Sequence, residues 1–217
     1  MMGYISGQIQ MLTLMALPFL FAVTMPQAAR AYIANYLGDP TPKLSGRMSL
    51  DPLKHVDKMG TIVMPGVSML LGFPILLGYG KPIDVQPANF KKGRSGIVLF
   101  ALAGPLSNLI VALFFAYLIR LAGLFSLLTN EWIALTLQYG VLINCLFMVI
   151  SLLPIPPLDG GTVVAQYLPR DVAKSYMSVA PYGFLILLGI FILAQPVILG
   201  PTYALANFLA RLAGAPY

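Results

Sequence analysis

Residues 10–36 form an apolar run longer than the ~20 residues a helix needs to cross a bilayer, yet the run carries Pro26, Gln27 and Arg30 in its second half. A charge at the centre of a spanning helix costs roughly 2.5–3.5 kcal/mol, so such a residue faces protein or water and has a partner. A helix of this composition cannot stand alone in lipid, and the chain that contains it must build a bundle around the interruption. The run ends in Leu-Gly-Asp-Pro, where Gly38 and Pro40 supply a helix stop. Pro26 removes one backbone bond and predicts a kink, with neighbouring helices or side chains taking up the freed carbonyl.

Of the 217 residues 59% are hydrophobic and 9% charged, far from the ~25% charged of soluble domains. This predicts an integral membrane protein, and with no long polar block it predicts one membrane domain over 1–217. Thirteen Lys and Arg against seven Asp and Glu give a net charge of +6. In a membrane protein the position of basic residues in loops matters more than their sum, and no nucleic-acid partner is implied. The lone cysteine, Cys145, sits in an apolar segment and reads as a buried structural thiol. The N-terminus lacks the basic leader and small-residue cleavage site of a secretory signal, so it reads as a retained first helix.

Residues 41–60 alternate short apolar positions with Lys43, Arg47, Lys54 and Lys58, which suits a small strand or hairpin at the membrane surface. Residues 61–80 are apolar but broken by Pro65, Gly66, Gly72, Pro74, Gly78 and Gly80, which suits a re-entrant or irregular segment buried in protein. Lys81, Lys91, Lys92 and Arg94 follow, and KPIDVQP reads as a second extended piece. Three more helices are expected at about 96–119, 132–153 and 181–199, then a short segment ending near Leu212. The fold class is therefore an all-α polytopic membrane bundle with a small surface β element. Placing 30–60, 81–95 and 154–178 in the cytoplasm collects every basic residue there except Arg120 and Arg211.

Three stretches carry further meaning: LGDPTPKLSGRMSLDPLKHVDKMGT after the first helix, AGPLSN in the second, and LLPIPPLDGG after the third. Together they resemble the site-2 protease family of intramembrane zinc metalloproteases, in the branch without PDZ or CBS domains. The resemblance covers more than half the chain and implies residence in a bacterial cytoplasmic (inner) membrane. It also implies a helical His-Glu-x-x-His motif that holds zinc together with the aspartate of LDG. Residues at i and i+4 share a helix face, so two imidazoles grip one ion while the glutamate acts as general base.

The matching positions here read Pro26, Gln27, Ala28, Ala29 and Arg30, with the register fixed by the downstream AYIANYLGDPTPKLSGR. Proline has no donor for a metal. Glutamine keeps the shape of glutamate but accepts no proton near neutral pH. Arginine stays protonated and repels a divalent cation. Ser151 stands where the family has an asparagine, whereas Asn108 and Asp159 match the family motifs. The resemblance thus implies a site that is degenerate at Pro26, Gln27, Arg30 and Ser151, with no catalytic residue and no zinc.

If the helices pack as in the family, Arg30 approaches Asp159 and substitutes for the ion, with Gln27 as a possible bridge. The competing reading has Arg30 snorkelling to the headgroups and Asp159 capping the turn at Gly160. The only histidine, His55, falls in a loop pattern and short of the three protein ligands zinc requires, so a hydrogen-bonded surface histidine is expected. Gly104 and Pro105 read as close helix packing, and Asp39, Asp51, Asp57 and Asp84 as turn residues.

The leading expectation is a proteolytically inactive homologue that binds a partner's transmembrane helix or peptide, as an assembly or regulatory subunit of a larger membrane complex. The alternative is an active intramembrane zinc metalloprotease with non-standard ligands. A small transporter or channel is a third class, in which Arg30 and Asp159 line a polar path.

Overall fold

The computed structural model describes residues 2–70, 76 and 78–215. Helix α1 spans Met2–Leu37 and includes Pro18 and Pro26. It stops where Gly38 takes a left-handed φ of 106°, with the Gly38 and Asp39 amides returning to the Asn35 and Ala34 carbonyls at 3.1 and 2.9 Å. Asp39 is fully buried beyond this stop. Its carboxylate accepts from the Thr41 amide and hydroxyl at 3.1 and 2.6 Å, the Gln86 amide at 2.6 Å and the Asn89 side chain at 3.3 Å. These bonds tie the end of α1 to the turn that starts the next long helix. Burial alone would raise the Asp39 pKa, but the four donors together hold it below its ordinary value.

That next helix, α4, spans Gly93–Leu124, and α5 spans Glu131–Ser151, opened by Asn130 accepting from the Ile133 amide at 3.2 Å. Gly140 lets α5 close on α4, because a Cβ there would lie 2.3 Å from the Phe115 ring. α1, α4 and α5 pack against one another, and α9 (Gln195–Ala213) lies on α4 and α5. One core unites Ala112, Phe115, Ala116 and Ile119 of α4 with Val141 and Cys145 of α5 and Ala206, Leu209 and Ala213 of α9. Another joins Met15, Phe19, Ala22 and Val23 of α1 to Ile143 and Leu76. Arg120 donates to the Ala213 carbonyl at 3.1 Å and so caps the C-terminus of α9.

Four helical stretches are long and apolar enough to cross a membrane: Ile9–Leu37, Gly93–Leu124, Glu131–Ser151 and Arg170–Leu193. Large apolar side chains such as Ile110, Phe114 and Leu121 stay exposed along α4, the surface a bilayer would cover. The protein is an integral membrane protein with an all-helical fold.

The expected surface β element does not form; no strand occurs among the described residues. Thr41–Leu44 is a single helical turn, α2. Pro52–His55 is a 3-10 turn opened by Asp51, which accepts from the Leu53 amide at 3.0 Å. Lys58–Val63 is a wide π turn opened by Asp57, which accepts from the Met59 and Gly60 amides at 2.9 and 2.7 Å. Asp caps and prolines at first turns give this stretch local partners, which outcompete a strand ladder.

The expected re-entrant course of residues 61–80 finds no support. α3 (Met64–Leu70) continues the π turn, and 71–75 and 77 lie outside the described residues. The helix expected at 181–199 breaks at Ala194, so that α8 covers Gly183–Leu193 and α9 begins at Gln195. Pro196 is the cause: it has no N–H for a continuing helix and its ring would clash with the carbonyl four residues back, yet it suits the first turn of a new helix.

Candidate functional site

A cavity of about 590 Å³ opens between α1, α4, α5, α8 and the extended residues 78–80. Its wall gathers Pro26, Gln27 and Arg30 from α1, Asn108 from α4, Ser151 from α5, and Asp159, three stretches of sequence brought to one place. Most of the remaining lining is apolar, including Ala22, Val23, Leu146, Phe147, Ile150 and Leu187.

Asp159 opens α6 (Asp159–Tyr167). The two glycines after it allow the approach: a Cβ on Gly160 would lie 2.1 Å from the Leu152 carbonyl oxygen, and one on Gly161 2.6 Å from the Ile155 carbonyl carbon. With no side chain at either position, α6 tucks its first turn against the end of α5 and carries Asp159 into the cavity. Gln27 and Arg30 are three residues apart on α1 and share its cavity face.

The Arg30 Nη2 donates to Asp159 Oδ2 at 2.5 Å, with the side chains 18% and 15% exposed. Beneath the guanidinium lies Gly104, where a Cβ would come within 2.5 Å of Nη2. The absent side chain at 104 is what makes the seat. Gln27 faces the same cavity but hydrogen-bonds to neither partner among the described residues. Burial pushes the Asp159 carboxyl above its ordinary pKa, and the Arg30 charge offsets this only in part.

Asn108 sits one helical turn from Gly104 and is 2% exposed. Its Oδ1 is buried and finds no hydrogen-bond partner among the described residues. The Ser151 hydroxyl is turned back on its own helix, donating to the Met148 carbonyl at 3.0 Å.

His55 lies away from this cluster. The expected surface position is incorrect: the ring is fully buried, because its two nitrogens find partners in the fold. Nε2 lies 2.8 Å from the Ser49 carbonyl oxygen and Nδ1 3.4 Å from Arg47 Nη2. Burial lowers the His55 pKa; the Ser49 carbonyl opposes this, while the Arg47 charge adds to it. Arg47 is itself lowered by burial, with Asp84 opposing.

Sequence reasoning missed two contributors, Asp39 as a buried hub and the Arg47–His55 pair, while Gly104, read as a close-packing position, is the seat of Arg30. Only Asp39 left a clear signal. An Asp two residues before Thr41, just past a helix stop, is an Asx-turn pattern.

The fold and site define a polytopic helical membrane protein with a charge pair in a cavity between its helices. Over 186 residues the chain is 33% identical to the Bacillus subtilis (strain 168) protein named "Putative zinc metalloprotease YwhC", covering 82% of this chain and 80% of the relative. It is 25% identical over 177 residues to "Putative zinc metalloprotease Rip2" of Mycolicibacterium smegmatis, covering 80% and 64%. With the Mycobacterium tuberculosis protein of the same name it shares 24% identity over 200 residues, covering 92% and 73%. The chain belongs to the site-2 protease family. No protein-family model matches it, and no solved structure does.

The relatives' names imply zinc, and the side chains at the cavity do not fit that ion. Zinc takes at least three nitrogen, sulfur or carboxylate ligands from the protein. Here the carboxylate of Asp159 is engaged by a guanidinium, and its neighbours are proline, glutamine, asparagine and serine. Among the described residues no three His, Cys, Asp or Glu side chains gather.

Proposed function

We propose that this chain is a proteolytically inactive member of its family that uses the cavity to hold a partner's transmembrane helix or peptide, as a binding, assembly or regulatory subunit. The observation that carries the reading is the Arg30 guanidinium on Asp159. A permanent cation engages the carboxylate that the family motif assigns to zinc, and Gln27 stands where a general base is needed. A largely apolar wall further supports binding, suited to an apolar transmembrane segment. The basic loops at 41–60 and 81–94 support an orientation with that face in the cytoplasm of a bacterial inner membrane.

A photo-crosslinker at Ile150, on the cavity wall, tests this in native membranes against one at Ile110, on the exposed face of α4. The expected result is a discrete membrane-protein adduct from Ile150 and none from Ile110. Free monomer from both positions would sink the binding role, and cleavage of membrane peptides by the purified protein would sink the inactivity. The names of the relatives favour a second reading, an active zinc metalloprotease with non-standard ligands, which metal content distinguishes.

A further inference from the structure

Residues 78–80 form one wall of the cavity, and only a few bonds hold this extended stretch to the rest of the fold. The Tyr79 amide donates to the Gly60 carbonyl at 3.1 Å, and the Thr61 hydroxyl to the Tyr79 carbonyl at 2.9 Å. The Lys81 amide donates to the His55 carbonyl at 2.7 Å. Arg47 donates to the Lys81 and Pro82 carbonyls at 2.7 and 3.4 Å. Two of these five bonds come from the Arg47 side chain, and a third ends on the backbone carbonyl of His55, which a proton on the ring leaves unchanged.

The chemistry of the two side chains fixes the state of the ring. A carbonyl only accepts, so His55 Nε2, 2.8 Å from the Ser49 carbonyl oxygen, carries the hydrogen. A guanidinium only donates, so Nδ1, 3.4 Å from Arg47 Nη2, is the bare acceptor. The imidazole is therefore neutral. A proton on Nδ1 turns a donor and an acceptor into two donors, and sets two cations against each other in a site closed to water. The charges that act on His55 are Arg47, Asp51 and Lys54, and Asp84 acts on Arg47. Helix α1, packed on the same turn, adds none to that set. The Ser49 carbonyl and the Asp51 charge favour protonation of the ring, but burial and the two cations outweigh them.

We infer that His55 and Arg47 form an acid-sensitive latch on the cavity: neutral His55 keeps Arg47 on the carbonyls of residues 81 and 82, and protonated His55 releases that wall. The consequence for partner binding rests on the cavity being the binding site; the latch itself does not. Burial holds the ring below its ordinary value of 6.5. The latch is therefore whole above that value and is lost as pH falls through the lower value of the folded ring.

The test is amide hydrogen exchange at Tyr79 and Lys81 in the purified chain in detergent micelles, corrected for the intrinsic pH dependence, with no partner present. Protection at both amides should fall between about pH 7.5 and about pH 5, by up to about tenfold per pH unit below the ordinary value of 6.5. His55→Gln keeps a donor for Ser49 but cannot take the proton, and its protection should stay level over the same range. Should that variant fail to fold, Arg47→Gln removes the opposing cation and should also abolish the pH response. A level profile in the wild type, or an equal fall in the variants, overturns the latch. Because no partner is present, a level profile leaves the cavity's binding role standing, and a failed crosslink at Ile150 leaves the latch standing.

Discussion

Replacing Arg30 and Asp159 singly and together with alanine probes the pair that organises the site. Both side chains are mostly buried, 18% and 15% exposed, and in direct contact. Removing one member of a fully buried pair costs about 3–5 kcal/mol, because the other is left uncompensated. The residual exposure lowers the expectation to about 2–3 kcal/mol for each single change. The two should differ. Asp159→Ala strands a guanidinium that cannot lose its charge, whereas Arg30→Ala strands a carboxyl that can take up a proton; Asp159→Ala is therefore the more damaging. The double variant strands no charge and should lie within about 1 kcal/mol of the wild type, giving a coupling of about 3–6 kcal/mol. In a domain of this size 1 kcal/mol moves Tm by about 2–4 °C, so each single change should lower it by about 4–12 °C. Thermal unfolding in detergent, followed by circular dichroism, reads all four proteins. Losses that simply add would refute the claim that the two charges hold one another.

Gly104→Ala should destabilise by about 1–2 kcal/mol, because its Cβ would fall 2.5 Å from Arg30 Nη2 and push the guanidinium off Asp159. In an Arg30→Ala background the same change should be neutral or stabilising by up to about 1 kcal/mol, since alanine suits a helix better than glycine; equal losses in both backgrounds would contradict the seat. Asp39→Asn should cost about 1–3 kcal/mol near neutral pH through its weakened hydrogen bonds. The folded Asp39 carboxyl lies below its ordinary 3.8, so its contribution is whole above that value and is lost as pH falls through the folded one. The gap between Asp39→Asn and wild-type stability, followed by acid titration of unfolding, should close in that window.

The long helices were legible because length and apolar content decide them: residues 10–36, 96–119 and 132–153 fall within Met2–Leu37, Gly93–Leu124 and close to Glu131–Ser151. Short polar stretches were not. The alternation over 41–60 resembled a strand, but Asp51 and Asp57 caps and the prolines at 42 and 52 bend it into successive turns, a local chemistry that periodicity does not encode. Pro196 marked the break between α8 and α9, yet it sat in an apolar run whose length suggested one helix. The motifs at 26–30, 108 and 159 named the residues that now line one cavity. What they could not supply was the seat at Gly104, which depends on how closely α1 and α4 approach. Nor could they give the burial of His55, which depends on Arg47 and Ser49 folding around the ring.

The central question for this chain is whether the family's metal site is lost. Zinc content of the untagged chain, purified from cells grown with added zinc and measured by elemental analysis alongside Asp159→Ala, tests this most directly. The charge pair predicts substoichiometric zinc that is the same in both proteins. One zinc per chain in the wild type, absent from Asp159→Ala, would contradict it and make Asp159 a ligand.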